Sequence, residues 1–220
     1  MKEEDMEIKE LKSFDNTKYS SDYYEDGLKK KLSGYEHYHY IPTRSFPEAI
    51  EICERFDFKT AIDFGCAKGF LVHTLRQLGK EAYGEDISDY ALSNCHPPAK
   101  PYLSFPNGNK ADLIICKDVM EHMYENEVDE ILSFLKNKCE KEILLIIPLG
   151  DDNTFRIREY EVDITHVTKK DEDWWINKIR DSGFRLKSFS YSMGVIKKHW
   201  TDPHPFGNGF FIIDKGENAL

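Results

Sequence analysis

Asp63-Phe64-Gly65-Cys66-Ala67-Lys68-Gly69 joins the short apolar run Thr60 to Phe64 to the amphipathic run Phe70 to Leu78, which Gly79 ends. The first run reads as a strand and the second as a helix, so the stretch between them is a strand-to-helix turn. Gly65 permits a tight turn, and Gly69 lets the helix begin close to a ligand. An open α/β sheet binds its ligands at this place, beyond the carboxyl ends of the strands. The spacing is not G-x-G-x-x-G, because Ala67 and Phe70 stand at the next glycine positions, nor is it G-x-x-x-x-G-K-[ST]. Phosphate cradling is therefore not expected. A second acid, Asp86, ends the next strand-like run about 20 residues past Gly65, where a carboxylate accepts both hydroxyls of a ribose.

Outward from this turn the pattern alternates. On the N-terminal side, Ser45-Phe46-Pro47-Glu48 offers an N-cap serine with glutamate three residues on, predicting a helix from Ser45 to about Phe56. On the other side come a strand over Glu81 to Asp86 and a short helix capped by Ser88. Pro97, Pro98 and Pro101 then break the chain before a weak strand over Tyr102 to Phe105. Leu113 to Lys117 and Glu142 to Ile147 read as strands, with a helix over about Glu125 to Lys138 between them. Strands alternating with helices imply a doubly wound, three-layer α/β sandwich around a mostly parallel sheet. After a helix over Asp171 to Asp181, the runs Phe184 to Ile196 and Phe210 to Asp214 suit an antiparallel pair closing that sheet. Residues 1–44 are polar and rich in tyrosine, and they read as a partly helical extension folding over the domain of residues 45–220; the first dozen suit a frayed tail.

Composition bounds the function. The 220 residues suffice for one large domain with a proper core, and 13% aromatic content argues against disorder. The net charge of −10 counts against nucleic acid as a partner, since that binding rests on phosphate neutralisation. The longest apolar run, Ile143 to Leu149, contains Pro148 and falls far short of the roughly 20 residues of a membrane span. No secretory signal follows Met1-Lys2-Glu3-Glu4-Asp5, so a cytoplasmic protein is expected. Cys53, Cys66, Cys95, Cys116 and Cys139 form no C-x-x-C pair and fit reduced thiols.

The motifs together resemble the class I S-adenosylmethionine-dependent methyltransferases. Their D/E-x-G-x-x-x-G is matched by Asp63, Gly65 and Gly69, and their second-strand acid by Asp86 in a G-x-D-x-S setting. Asp112-Leu113-Ile114-Ile115-Cys116-Lys117-Asp118-Val119-Met120-Glu121-His122 is similar to the family's fourth-strand segment. The resemblance implies a seven-stranded sheet of order 3-2-1-4-5-7-6 with the last strand antiparallel, and S-adenosylmethionine as cofactor. It places Asp63 near the amino group of the methionyl moiety, and Gly65, Ala67 and Gly69 as backbone close to the cofactor. Asp86 would take the ribose, Ile87 would pack on adenine, and Tyr102 and Leu103 would edge that ring. Lys117 would face the methionyl end, departing from the small or neutral residue frequent there.

Methyl transfer to a hydroxyl needs alignment and a base. Asp163-Ile164-Thr165-His166 resembles a D-x-x-H segment of sugar and small-molecule O-methyltransferases. It implies His166 as general base with Asp163 to orient it or to bind substrate, unless His166 merely caps the loop or packs under Trp174 and Trp175. Asp118, Glu121 and His122 can ligate a divalent cation, as E-x-x-E-H does in some quinone-biosynthesis members; otherwise the pair Glu121-His122 is structural, or His122 is a second base. Arg44 offers a partner for an acidic acceptor or for the cofactor carboxylate. The ring-rich loop Trp200 to Gly209 suggests a wall facing the acceptor. The reading is O-methylation of a small hydroxylated metabolite or sugar, including a surface-polysaccharide precursor. A phosphorylated or nitrogenous acceptor and a non-catalytic regulator are the alternatives; the oligomeric state is left open.

Overall fold

A computed structural model of the chain describes residues 15–216. Its centre is a seven-stranded sheet of β1 (Thr60–Phe64), β2 (Glu81–Glu85), β3 (Leu103–Ser104), β4 (Ala111–Lys117), β5 (Cys139–Pro148), β8 (Arg185–Ser190) and β9 (Asn208–Asp214), in the order β3-β2-β1-β4-β5-β9-β8. The pairings among β1 to β5 are parallel, whereas β9 runs antiparallel to both neighbours. A separate two-stranded hairpin, β6 (Gly150–Asp151) with β7 (Thr154–Phe155), follows β5. With the hairpin set aside, the expected order 3-2-1-4-5-7-6 and its antiparallel last strand are what the sheet shows.

Strand period sorts the apolar residues onto two faces. Ile62, Ile114, Cys116, Ile143, Leu145, Ile147 and Phe211 face one core, together with Val128, Ile131, Leu132 and Leu135 of α6 (Glu125–Lys138) and Trp175 and Ile179 of α7 (Glu172–Asp181). Their neighbours Ala61, Leu113, Ile115, Leu144, Ile146 and Phe210 face the other core, under α3 (Pro42–Arg55) and α4 (Phe70–Gln77). Because both faces of β5 are covered, its apolar run is unbroken rather than alternating.

Helix α3 begins at Pro42, with Ile41 at the N-cap, rather than at the expected Ser45. Proline pre-sets the helical φ at the first position, where its missing N–H costs nothing, and this starts the helix one turn earlier. The helix thereby crosses the expected boundary between residues 44 and 45. Ser88 does cap the short helix α5 (Asp89–Ser93), accepting from the Ala91 amide at 3.0 Å. The run after Phe184 stops pairing at Ser190, and Met193 and Ile196 form an isolated bridge before α8 (Lys198–Thr201).

Before α3, the helices α1 (Ser21–Glu25) and α2 (Gly27–Lys30) bring Tyr19, Tyr23 and Tyr24 against Ala91, with Tyr35, Tyr38, Tyr90, Ala67 and Ile87 around them. Lys68, in the turn after β1, ties this segment down by bonding Glu25 at 2.5 Å and the Tyr38 carbonyl at 2.9 Å. The expected frayed dozen residues lie outside the described residues. No helix among the described residues is long and apolar enough to cross a membrane.

Candidate active site

Two adjoining cavities lie at the carboxyl ends of β1, β2 and β4, sharing Tyr35, Gly65, Ala67 and Asp118. The turn after β1 forms the ridge between them. Gly65 (φ 80°), Ala67 (φ 47°) and Gly69 (φ 76°) all adopt left-handed backbone, and a Cβ on Gly65 would stand 2.3 Å from Val119 Cγ2. The Ala67 amide donates to Asp86 Oδ2 at 2.7 Å and the Ser88 amide to Asp86 Oδ1 at 2.7 Å. These bonds fix the carboxylate at the mouth of the smaller cavity, about 90 Å³, which Ile87, Pro106, Val119 and Met123 also line. Tyr19, Tyr23, Tyr24 and Tyr35 wall it from the N-terminal side.

The larger cavity, about 280 Å³, is lined by Arg44, Glu48, Asp63, Lys117 and Asp118 among others. Lys117 Nζ bonds Glu48 at 2.7 Å. Asp63 is 7% exposed, and its carboxylate accepts no hydrogen bond from any of the described residues. Burial raises its carboxyl to about 7, against the pull of Lys117. Burial likewise raises Asp86 to about 6, opposed by its backbone donors. Two buried acids flanking one glycine turn, one of them unpaired, suit a ligand that brings a cation and hydroxyl groups.

A second cluster gathers Glu121, His122 and His166. One ring nitrogen of each histidine and one Glu121 carboxylate oxygen all lie within 4.8 Å of one another. Glu121 is fully buried, and neither of its carboxylate oxygens has a hydrogen-bond partner. Burial, with the charge of Asp118, pushes its carboxyl well above the usual range. Burial and the neighbouring His166 push His122 down to about 3, and burial also lowers His166, so both rings are neutral. His166 Nδ1 donates to the Tyr160 carbonyl at 2.8 Å, which leaves its Nε2 bare, 4.0 Å from Glu121 Oε1. A buried carboxylate without a donor, beside two neutral imidazoles, fits a divalent cation such as Zn²⁺, Mn²⁺ or Co²⁺.

No protein-family model matches the chain. The magnesium-protoporphyrin O-methyltransferase of Synechocystis sp. is 30% identical over 95 residues, which span 38% of this chain and 41% of that protein. A chain in the complex of the Haloferax volcanii Trm112 methyltransferase activator with a methyltransferase superposes with a TM-score of 0.59 at 14% identity, covering 79% of this chain and 91% of that one. The TehB-like methyltransferase of Corynebacterium glutamicum gives 0.58 at 14% identity over 77% and 88%, and mitomycin 7-O-methyltransferase 0.58 at 16% over 77% and 53%. The chain has the class I S-adenosylmethionine-dependent methyltransferase fold.

In this class I fold, several residues singled out in the sequence meet at the cavities: Asp63, Gly65, Ala67, Asp86, Ile87 and Lys117 all line one or the other. Gly69 starts α4 behind them. Tyr102 and Leu103, expected at the adenine edge, line neither cavity. Tyr102 lies under the guanidinium of Arg76, 3.3 Å from the ring centroid, and Leu103 packs on Gly69 and Gly84. Strand period turns Leu103 toward the α4 side, and Pro106, just beyond β3, lines the cavity instead.

Asp118 does not join Glu121 and His122 as expected. Held in left-handed backbone (φ 57°), it bonds Lys197 Nζ, while His166 completes the cluster. Lys197 and then Lys117 hold the Asp118 carboxyl below its usual value, although burial opposes them. Nor does the Asp163 carboxylate hydrogen-bond the His166 ring, from which it stands 3.8 Å: the Tyr160 carbonyl does, and the carboxylate binds Thr165 and Tyr23. Trp200 of the ring-rich loop packs on Tyr160, with centroids 5.5 Å apart. Lys197, Tyr160 and the tyrosines of the N-terminal segment were not singled out individually; the partners of Lys197 and Tyr23 lie far off in sequence, and Tyr160 acts through its backbone carbonyl, which no side-chain pattern marks. Glu85 was also missed. It lines the smaller cavity, is buried, and pairs with the buried Lys138 of α6 at 2.8 Å. Consecutive acids ending a strand are the signal, since they must face opposite sides and one must find a cation in the core.

Proposed function

We propose that this protein is an S-adenosylmethionine-dependent O-methyltransferase acting on a small hydroxylated metabolite, with Glu121, His122 and His166 holding a divalent cation beside the acceptor. The observation that carries this reading is the buried Glu121 carboxylate, which has no hydrogen-bond partner and stands beside two neutral imidazoles. When bound, S-adenosylmethionine supplies an electrophilic methyl on a sulfonium, and a cation lowers the pKa of an adjacent hydroxyl.

The chain's own groups do the rest. Asp63, unpaired over the turn, answers the cofactor's ammonium, and Asp86, already held by two amides, accepts the ribose hydroxyls. Lys117 and Arg44 give the methionyl carboxylate cationic surroundings. The tyrosine wall keeps water from the smaller cavity, which strengthens the contact at Asp86. Tyr160 and Trp200 offer rings against which a sugar, including a surface-polysaccharide precursor, can lie. A second reading needs no cation: His166 Nε2, bare and fixed by Tyr160, takes the acceptor proton itself.

Calorimetry with S-adenosylhomocysteine and with Mn²⁺, followed by methyl transfer to a pool of hydroxylated metabolites, tests the proposal. The expected results are binding of both, loss of Mn²⁺ binding in Glu121→Gln, and loss of transfer on exhaustive chelation. No binding of S-adenosylhomocysteine would overturn the proposal. Transfer that survives chelation but not His166→Ala would select the second reading, and tight cofactor binding without any transfer would mark a regulator.

A further inference from the structure

The N-terminal segment reaches into the histidine cluster. Tyr23, on α1, donates its phenolic hydrogen to Asp163 Oδ2 at 2.6 Å. Asp163 Oδ1 accepts from the Thr165 amide at 2.9 Å and from the Thr165 hydroxyl at 2.5 Å. That commits the single hydroxyl hydrogen of Thr165. Its Oγ1 therefore meets His122 Nδ1, 2.7 Å away, as an acceptor, so Nδ1 carries the hydrogen of that ring and Nε2 has none. On the second ring, the Tyr160 carbonyl can only accept, which puts the hydrogen of His166 on Nδ1. His166 Nε2 stands 3.8 Å from Asp163 Oδ2, the oxygen that Tyr23 engages. Without the phenol, that oxygen would be a buried acceptor facing an imidazole nitrogen 3.8 Å away, and it would draw a hydrogen onto Nε2. Tyr23 is 3% exposed, Thr165 4% and Asp163 7%, so bulk water does not replace a lost partner.

We infer that Tyr23 and Thr165 are positioning residues for the Glu121–His122–His166 cluster: around Asp163, Tyr23 keeps Nε2 of His166 free of hydrogen and Thr165 keeps Nε2 of His122 free of it, so that docking of the N-terminal segment completes the site. The inference rests on the proposed role of that cluster. Ligating imidazoles need one bare nitrogen and an outer partner on the other, and losing such a partner typically costs about 10–100-fold in metal affinity.

The test uses the full chain and two readouts. Long-range ¹H–¹⁵N spectra of the metal-free protein report which ring nitrogens carry hydrogen, and titration with Co²⁺ reports affinity. Wild type is expected to show a bare Nε2 on both His122 and His166. Tyr23→Phe, which keeps the packing, is expected to lose that pattern at His166 and to bind Co²⁺ about 10–100-fold more weakly. Thr165→Val should lose the pattern at His122, and Thr165→Ser should restore it. This pair keeps the inference testable should Tyr23→Phe fold poorly. A Tyr23→Phe protein with unchanged spectra and Co²⁺ affinity overturns the inference, as does a wild type with hydrogen on either Nε2. A wild type that shows the expected spectra but binds no Co²⁺ overturns only the cation reading.

Discussion

Acidification should weaken S-adenosylhomocysteine binding by about two orders of magnitude between pH 8 and pH 5, and Asp63 should be the cause. Burial lifts this carboxyl from 3.8 to about 7, with Lys117 opposing. Above that value the free protein already presents a carboxylate to the ligand's ammonium, and affinity is full. Below it the free protein holds a proton that the ammonium must displace, so affinity falls about tenfold per pH unit until the complex itself protonates. If the ammonium returns Asp63 to an ordinary value of about 3.9, pH 5 lies about two units into that window, a loss of about 2.7 kcal/mol. Asp86, raised to about 6 by burial, faces neutral hydroxyls and adds a shallower dependence. Isothermal titration in buffers of different ionisation heat gives both the affinity and the proton count, with about one proton released per ligand near pH 6. In Asp63→Asn the slope should flatten and the affinity at pH 8 should drop to the acid-limb value. A flat wild-type profile from pH 5 to 8, or an Asp63→Asn profile as steep as wild type, would refute the reasoning.

Two further outcomes test the groups around the cofactor end. Lys138→Met leaves Glu85 buried without its cation and should cost about 3–5 kcal/mol in urea unfolding, most of it recovered by adding Glu85→Gln; a loss below about 1 kcal/mol would show that the pair is not desolvated as its 2% side-chain exposure indicates. Gly65→Ala places a methyl 2.3 Å from Val119 Cγ2 at a φ of 80°. It should cost about 1–3 kcal/mol of stability and weaken S-adenosylhomocysteine at least about tenfold, and wild-type affinity in a folded Gly65→Ala protein would show that the turn does not approach the ligand.

What the sequence made legible divides along the range of the contacts involved. The turn from Asp63 to Gly69 is built within one strand, one helix and the end of the next strand, so glycine spacing and strand period located it. The alternation of strands and helices gave a mostly parallel sheet, and the sheet order followed from the resemblance to the class I methyltransferases. The helix start was misplaced because two local signals compete, and Pro42 outranks the N-cap at Ser45. Tyr102 and Leu103 lie away from the cavities, and a two-residue strand carries too little pattern to say which face meets α4 and which meets the cavity. The acceptor side was harder for a deeper reason. A D-x-x-H spacing suggests that Asp163 serves His166, yet in a turn the nearest acceptor is backbone, the Tyr160 carbonyl, and the carboxylate is left for other donors. Those donors include Tyr23, 140 residues earlier. Asp118 is likewise drawn from its neighbours Glu121 and His122 by Lys197, 79 residues later, because a buried carboxylate is stabilised far more by a cation than by another acid nearby. At Asp163 and Asp118 the local motif supplies the carboxylate, and a partner that holds it comes from one end of the chain or the other. The chemistry of the cluster therefore depends on segments outside the alternating β/α pattern, and substitutions at Tyr23 or Lys197 should disturb it while leaving the cofactor turn in place.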